Sequence, residues 1–350
     1  MPIFDQGYQH WQGELAGHAW RWLAITRQGL RVALAGKLTR LVLIVAVMPA
    51  LMLAFALSMW GLLEQKSDLI TAIMPMFGFL DPAILAGPRA YRVEIWTICY
   101  SYFIRTETWF AMVLILFVGP NLISQDLRYN AFPLYFSRPL RRVDYVVGKL
   151  GVIVALLGAV IILPSVAAYA LGMVFSLDFS VFRDTYRILL ASVLYGLVIA
   201  FSAGLLILAL SSLSRSSRYV ALFWIGMWFV TSSVATVLSA INMEQQFHDR
   251  QRAARAGEAL PDETAKDQRD WRPLVSYTAN LRRIGEQLMG TDAAWTKVMQ
   301  VSPERHREES LRILLGPRSP WYWAAGVLLA LAGLSICILN LRIKSLDRLK

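Results

Sequence analysis

Charged residues are distributed along this chain so that six long stretches contain none. The stretches without Asp, Glu, Lys, Arg or His are Leu41–Leu63, Thr108–Gln125, Leu150–Leu177, Ile188–Ser214, Tyr219–Met243 and Ser319–Leu341. A helix needs about 20 mainly apolar residues, with a range of roughly 17–25, to cross the hydrocarbon of a bilayer, and each stretch reaches that range. The short alternating segments of a membrane β-barrel do not occur. The pattern predicts an all-α polytopic membrane protein with six transmembrane helices.

The placement of Lys and Arg predicts the orientation of these helices. Sixteen of the 35 basic residues lie in the N-terminal tail, between the second and third stretches, after the fourth stretch and in the C-terminal tail. Only five of the 24 acidic residues lie on that side, so it carries the whole formal net charge of +11. Basic loops stay in the cytoplasm, so both termini are predicted to be cytoplasmic. The lipid bilayer explains the excess charge, and no nucleic-acid partner is predicted.

Four parts of the chain follow from this topology. Residues 1–40 are a cytoplasmic tail with a basic helix that is either a juxtamembrane anchor or truly interfacial. Residues 41–243 hold spans 1–5 and an inner segment at 126–149, and residues 244–318 form an extracytoplasmic loop. Residues 319–350 hold the last span and a basic tail. Within the outer loop, Leu281, Ile284 and Leu288 have helical spacing and lie either on the membrane or against the spans.

The segment between the second and third stretches predicts one short helix. Asn130 is suited to cap its start, Pro133 is tolerated in its first turn, and Pro139 ends it. Phe132 and Tyr135, with their neighbouring apolar residues, are expected on its cytoplasmic side among arginines. Exposed aromatic residues with a charged rim favour a docking surface for a partner. A plain basic loop whose aromatic residues enter the lipid is the open alternative.

The order of residues in this segment resembles the signature of ABC-2 type transporter permeases. The matching positions are Asp126, Ala131, Ser137, Pro139, Gly148 and Lys149, while Asn130-Ala131 stands where the family usually has Gly-Thr. The resemblance covers the chain to about residue 240 and the last span. It implies a coupling helix that rests on a separate ABC ATPase. The coupling residues it implies are Asp126, Arg128, Phe132, Tyr135, Ser137, Arg138, Pro139, Arg141 and Arg142.

The same resemblance implies the partners and the location. The ATPase subunit would use ATP and Mg, and this chain would pair with a second copy or a related permease. The expected place is the bacterial cytoplasmic (inner) membrane, and the expected role is export. The residue-based alternative is a non-transporting scaffold or sensor that uses the outer loop to bind a partner.

Several chemistries lack their residues in this sequence. A phosphate-binding loop needs Ser or Thr after Gly-Lys, but Gly36-Lys37 precedes Leu38 and Gly148-Lys149 precedes Leu150. The four histidines lack metal-ligand spacing, so no metal, cofactor or catalytic residue is predicted on this chain. The six stretches contain no ionisable residue, which disfavours proton-driven carriers and intramembrane proteases.

Two further sets of residues have two interpretations each. Gly196, Ala200 and Gly204 recur every four residues in the fourth stretch and predict close helix packing, within the chain or with a second copy. Trp224, Trp228 and Thr231 in the fifth stretch either line a path for an amphiphile or are simply packed.

Overall fold

The computed structural model describes residues 20–65, 81–136, 140–256, 270–301 and 319–347. This part of the chain is 90% helical and contains no strand. Its α-helices are Arg21–Ala35, Lys37–Val45, Val47–Glu64, Pro82–Ala86, Arg92–Val118, Asn121–Arg128, Phe132–Phe136, Arg142–Leu157, Leu163–Ser176, Ser180–Leu213, Ser217–Ile225, Thr231–Ala256, Tyr277–Met289, Thr291–Met299 and Trp321–Asp347. Short 3₁₀ turns are Pro88–Tyr91 and Arg272–Val275, and π-turns are Gly158–Ile162 and Gly226–Val230.

Six of these helical stretches are long and apolar enough to cross a membrane, which confirms the predicted number. Spans 1 to 6 are Lys37–Glu64, Pro88–Arg128, Arg142–Ser176, Ser180–Leu213, Ser217–Asn242 and Trp321–Ile343. Spans 2, 3 and 4 have 44% to 56% of their apolar windows buried, against 22% to 28% for spans 1, 5 and 6. Spans 2, 3 and 4 therefore form the centre of the bundle, and the other three surround it.

Span 2 is longer than the sequence pattern predicts. Its helix begins at Arg92 and not near Thr108, so it includes Glu107. The Glu107 side chain is completely buried, and neither carboxyl oxygen has a hydrogen-bond partner among the described residues. The expectation that no ionisable residue lies within a span is therefore wrong. A search for uncharged stretches cannot find such a residue, because a carboxyl group that faces protein is tolerated where one that faces lipid is not.

The small residues of span 4 pack within the chain. A Cβ atom on Gly196 would lie 2.9 Å from Ile162, and one on Gly204 would lie 2.6 Å from Leu150. Both neighbours belong to span 3, and Ala200 between the two glycines is fully buried. Of the two interpretations of this pattern, the contacts match packing inside one chain.

The residues at which the spans begin and end lie at two opposite ends of the bundle. We call the end with Gly36, Asp126, Lys149 and Ser214 the basic end. At the opposite end, Arg92 Nε lies 2.9 Å from both carboxylate oxygens of Glu64. Arg92 Nη1 lies 2.9 Å from Asp184 Oδ2, and Nη2 lies 3.7 Å from Asp178 Oδ2. This Arg92 cluster joins the ends of spans 1, 2 and 4 and the turn that leads into span 4.

Part of the predicted outer loop packs inside the bundle. The Tyr277 hydroxyl lies 2.9 Å from Ser202 Oγ, and a Cβ on Gly285 would lie 2.5 Å from the Tyr195 ring. Ser202 lies 11 residues before the end of span 4 at Leu213, which is about 16 Å of helix. Tyr277–Met289 therefore reaches deep between the spans. Of the two placements that the helical spacing left open, the contacts show packing against the spans.

Candidate functional site

A bend at Pro120 separates the long helix of span 2 from the shorter helix that leads to the motif segment, residues Asp126–Lys149. Proline has no N–H group and interrupts the helical hydrogen bonds. Ser211 of span 4 compensates for this interruption: its Oγ lies 2.9 Å from the Pro120 carbonyl oxygen and accepts hydrogen bonds from the N–H groups of Ile123 and Ser124 at 3.1 and 3.0 Å. Because all of these groups are buried, span 4 fixes the direction in which span 2 leaves the bundle.

An ion pair joins the two ends of the motif segment. Asp126 Oδ2 lies 2.7 Å from Lys149 Nζ and accepts a 2.6 Å hydrogen bond from the Tyr145 hydroxyl. The side chains of Lys149 and Asp126 are 10% and 14% exposed. The Lys149 ammonium also lies 5.5 Å from the centroid of the Tyr145 ring and 5.9 Å from that of Tyr135. Such a shielded pair with an additional hydrogen bond holds the segment closed between spans 2 and 3.

The aromatic residues of the motif segment face inward. The Phe132 and Tyr135 rings lie 5.4 and 5.3 Å from the Tyr145 ring, and Phe132 is 3% exposed. The expectation that Phe132 is displayed to the cytoplasm is therefore wrong, because the start of span 3 offers this short helix an apolar surface. Tyr135 is half-buried, and burial together with the nearby Asp126 charge raises the pKa of its hydroxyl.

The turn before the short helix explains the departure from the family signature. Asn130 has a φ of 50°, in the left-handed region, so it shapes the turn and is not the helical cap that the sequence suggested. Asparagine and glycine adopt this conformation at the lowest cost among the residues. The N–H of Ala131 then donates to the Asp126 carbonyl oxygen at 2.9 Å. Asn130 can therefore occupy the place where the signature has glycine.

Arginines contribute to the exposed surface of the segment. Arg128, Arg141 and Arg142 are all exposed, and the backbone N–H of Arg141 donates to Asp144, which caps the start of span 3 at 3.0 Å. The predicted coupling residues Ser137, Arg138 and Pro139 lie outside the described residues. The exposed surface of the segment therefore combines guanidinium groups with Tyr129 and Val143, which are 72% and 68% exposed, while Phe132 packs internally.

The N-terminal helix, Arg21–Ala35, crosses the start of span 3. Thr26 Oγ1 donates to the Gly148 carbonyl oxygen at 2.9 Å. A Cβ on Gly148 would lie 2.7 Å from Ile25 Cβ, and one on Gly151 would lie 2.5 Å from Thr26 Oγ1. The absence of a side chain at Gly148 therefore lets this helix pack closely on span 3, while the adjacent Lys149 forms the ion pair with Asp126.

The sequence pattern did not predict the roles of Thr26, Ser211 and Tyr145. The one pattern that pointed to any of them was the spacing of four residues between Tyr145 and Lys149, which places both on one face of a helix.

The chain has six spans, a closed loop after span 2 and an N-terminal helix on span 3, and its sequence matches the model of a known family. The family model described as "ABC-2 family transporter protein" matches residues 24–288, about three quarters of the chain. The chain belongs to the ABC-2 transporter family. No curated protein matches it. The resemblance seen in the sequence is confirmed, and the protein is a multi-pass membrane permease of a transporter that works with an ABC ATPase subunit.

In this ABC-2 permease, the candidate path residues are packed. Trp224 is completely buried and its indole N–H donates to the Met112 carbonyl oxygen at 3.0 Å. Trp228 packs edge-to-face on Trp109 at 5.0 Å, and the Thr231 hydroxyl donates to the Met227 carbonyl oxygen of its own helix. Of the two interpretations of these residues, their contacts fit packing between spans 2 and 5.

Proposed function

We propose that this permease is the membrane subunit of an ATP-driven exporter and takes its motion from a separate ATPase dimer on its basic end. The ATPase binds ATP and Mg and docks on the motif segment. Two permease chains, identical or related, enclose the path in the bacterial cytoplasmic membrane. The uncharged character of most of the span surface favours an amphiphilic substrate.

The observation that carries this proposal is the closed motif segment. Asp126 belongs to the end of span 2, and Lys149 and Tyr145 belong to the start of span 3. Ser211 connects the same region to span 4. A force applied to the segment is therefore transmitted to three central spans through short contacts. Rigid-body movement of packed elements of this kind is how transporters change the side from which their site is open.

The charge of the exposed surface indicates the chemistry of the docking partner. Arg141 and Arg142, within the motif segment, are exposed at the start of span 3. Complementary potentials direct proteins to one another and fix their relative position. We therefore infer that the ATPase contributes acidic side chains to this contact.

Reconstitution tests this proposal. The chain is purified with the ABC ATPase that accompanies it, and the permease-dependent ATPase rate is measured in proteoliposomes. Arg141→Glu and Arg142→Glu each place like charges in the contact, and we expect the permease-dependent rate to fall about tenfold or more, since unfavourable juxtaposition of like charges costs several kcal/mol.

The matched control is Arg187→Glu, an exposed arginine near the opposite end of the bundle. This variant should keep the permease-dependent ATPase rate within about twofold. Normal rates in both motif variants, or equal losses in the control, would contradict docking at this place. Insertion of all three variants is checked by their yield in the membrane fraction.

A further inference from the structure

Three arginines from two separate parts of the chain line one cleft at the basic end. Arg128 is the last residue of the short helix at the end of span 2. Arg215 lies in the turn between spans 4 and 5, and Arg218 lies in the first turn of span 5. With Ser216 and Ser217 they surround a volume of about 420 Å³. Among the described residues, no carboxylate forms a salt bridge with any of these three guanidinium groups. We call this the arginine cleft, and its positive charge is not balanced within the described part of the chain.

The start of span 5 adds to the positive potential of the cleft. Ser216 precedes the nine-residue helix Ser217–Ile225, and no side chain caps the first N–H groups of that helix. The N-terminus of a helix carries a partial positive charge and attracts anions, above all phosphate groups. Arg128 lies 5.7 Å from the centroid of the Tyr129 ring, a contact that orients its guanidinium group. Guanidinium groups, serine hydroxyls and free N–H groups together form the donor set of a phosphate site.

Apolar side chains beside the cleft indicate where its ligand comes from. Leu213 at the end of span 4 is 46% exposed, and Tyr219, Leu222 and Phe223 at the start of span 5 are 62% to 66% exposed. These residues point out of the bundle immediately next to the arginines. A water-soluble anion needs no apolar neighbour of this kind, whereas a phospholipid requires a charged site for its head group and an apolar surface for its chains.

We propose that the arginine cleft binds the phosphate of an anionic phospholipid of the inner leaflet, with its acyl chains along the start of span 5. Basic pockets between helices on the cytoplasmic side are a recognised way of holding such head groups. The bound lipid bridges the end of span 2 and the start of span 5, and so adds to the contact that Ser211 of span 4 makes with the end of span 2. The inference uses the orientation of the proposed function but does not require the ATPase.

Native mass spectrometry of the purified full-length permease in detergent tests the cleft directly. The protein is titrated with phosphatidylglycerol, and the lipid-bound fraction is compared between variants. Each arginine near an anionic head group contributes a factor of about five in affinity. We therefore expect about a fivefold weaker binding for Arg128→Gln and about 25-fold for Arg215→Gln with Arg218→Gln. Arg215→Lys with Arg218→Lys keeps the charge and should retain most of the binding.

The matched control removes the same charge from another basic part of the chain. Arg27→Gln with Arg31→Gln changes two exposed arginines of the N-terminal helix and should alter phosphatidylglycerol binding less than about twofold. Equal losses in this control would show a general charge effect and overturn the proposal, as would unchanged binding in the cleft variants. Competition by soluble glycerol phosphate at the same concentration as the lipid would also overturn it, since the ligand would then be a free phosphate.

A second measurement separates this inference from the proposed function. ATPase binding by the cleft variants is measured in the same detergent. Loss of ATPase binding with unchanged lipid binding would make the cleft a protein contact and overturn the lipid assignment. Lipid binding is measured on the permease alone. Its result therefore does not depend on whether Arg141 and Arg142 couple the permease to the ATPase.

Discussion

The two ends of the bundle each hold a shielded ion cluster, but the clusters are built differently. At the basic end, Asp126, Tyr145 and Lys149 belong to one segment of the chain, and the pair closes that segment. At the opposite end, Arg92 is surrounded by Glu64, Asp178 and Asp184, which lie far from it in sequence. The first cluster holds a local loop against the bundle, while the second connects the ends of separate spans.

The two clusters also differ in burial, and burial predicts which of them contributes more to the stability of the bundle. The side chains of Arg92 and Glu64 are both 3% exposed, so breaking their contact leaves a charge without water or a partner. The Asp126–Lys149 pair is less buried and lies beside the exposed arginines of the proposed docking surface. We expect damage to the Arg92 cluster to unfold the bundle, and damage to the Asp126–Lys149 pair to loosen the connection to a partner.

The largest expected effect comes from Arg92→Met. It leaves the Glu64 carboxylate buried without its main partner, and removal of one member of a buried pair costs about 3–5 kcal/mol. Thermal or denaturant unfolding of the purified protein measures the loss. The exposed neighbour Arg89 provides the control, because Arg89→Met should stay within about 0.5 kcal/mol. Equal free energies of unfolding for Arg92→Met and Arg89→Met would show that the Arg92 cluster does not stabilise the fold.

The next effect concerns the Asp126–Lys149 pair itself. Asp126→Asn and Lys149→Met should each lower the free energy of unfolding by about 2 kcal/mol, less than at Arg92 because both side chains keep some exposure. The double variant should lose about 1–2 kcal/mol less than the sum, as expected for groups in direct contact. Additive losses would show that the two side chains do not interact. Both single variants should also lose most of the permease-dependent ATPase rate.

The crossing of the N-terminal helix is tested by one methyl group. Gly148→Ala forces a Cβ to within 2.7 Å of Ile25 Cβ and 2.9 Å of the Trp22 carbonyl oxygen. Overpacking of this kind costs about 1–3 kcal/mol. Gly158→Ala lies in the same span, but its Cβ would meet no atom within 4 Å apart from its chain neighbours and its own helix backbone, so it should be neutral or stabilising by up to about 1 kcal/mol. Similar stabilities for the two alanine variants would argue against the close crossing.

The smallest expected effect is at the bend of span 2. Ser211→Ala removes the acceptor of the Ile123 and Ser124 N–H groups, and the loss should be about 1–2 kcal/mol in unfolding experiments. The adjacent Ser212 donates only within its own helix, to the Ala209 carbonyl oxygen. Ser212→Ala should therefore change stability by about 0.5 kcal/mol or less. If Ser212→Ala costs as much as Ser211→Ala, the bend does not depend on span 4.

The fold was largely predictable because lipid imposes a simple rule on the sequence. Uncharged stretches of sufficient length located all six spans, and the motif from Asp126 to Lys149 indicated the family that the comparison confirms. The same rule failed at Glu107, where a carboxyl group faces protein inside span 2. It also left open how residues 270–301 pack, since helical spacing alone does not say what covers a helix.

The amino-acid sequence alone was enough to predict the six helices, among the described residues, that are long and apolar enough to cross a membrane, and to detect the ABC-2 signature in one loop. Both depend on local properties, namely the hydropathy of successive residues and the order of residues within one segment. Three further features are visible only in the folded chain: Phe132 is buried, Arg92 contacts three carboxylates, and Arg128 lines the same cleft as Arg215 and Arg218. Each of these requires side chains from distant parts of the chain to meet, and no local pattern records which surfaces the spans present to one another.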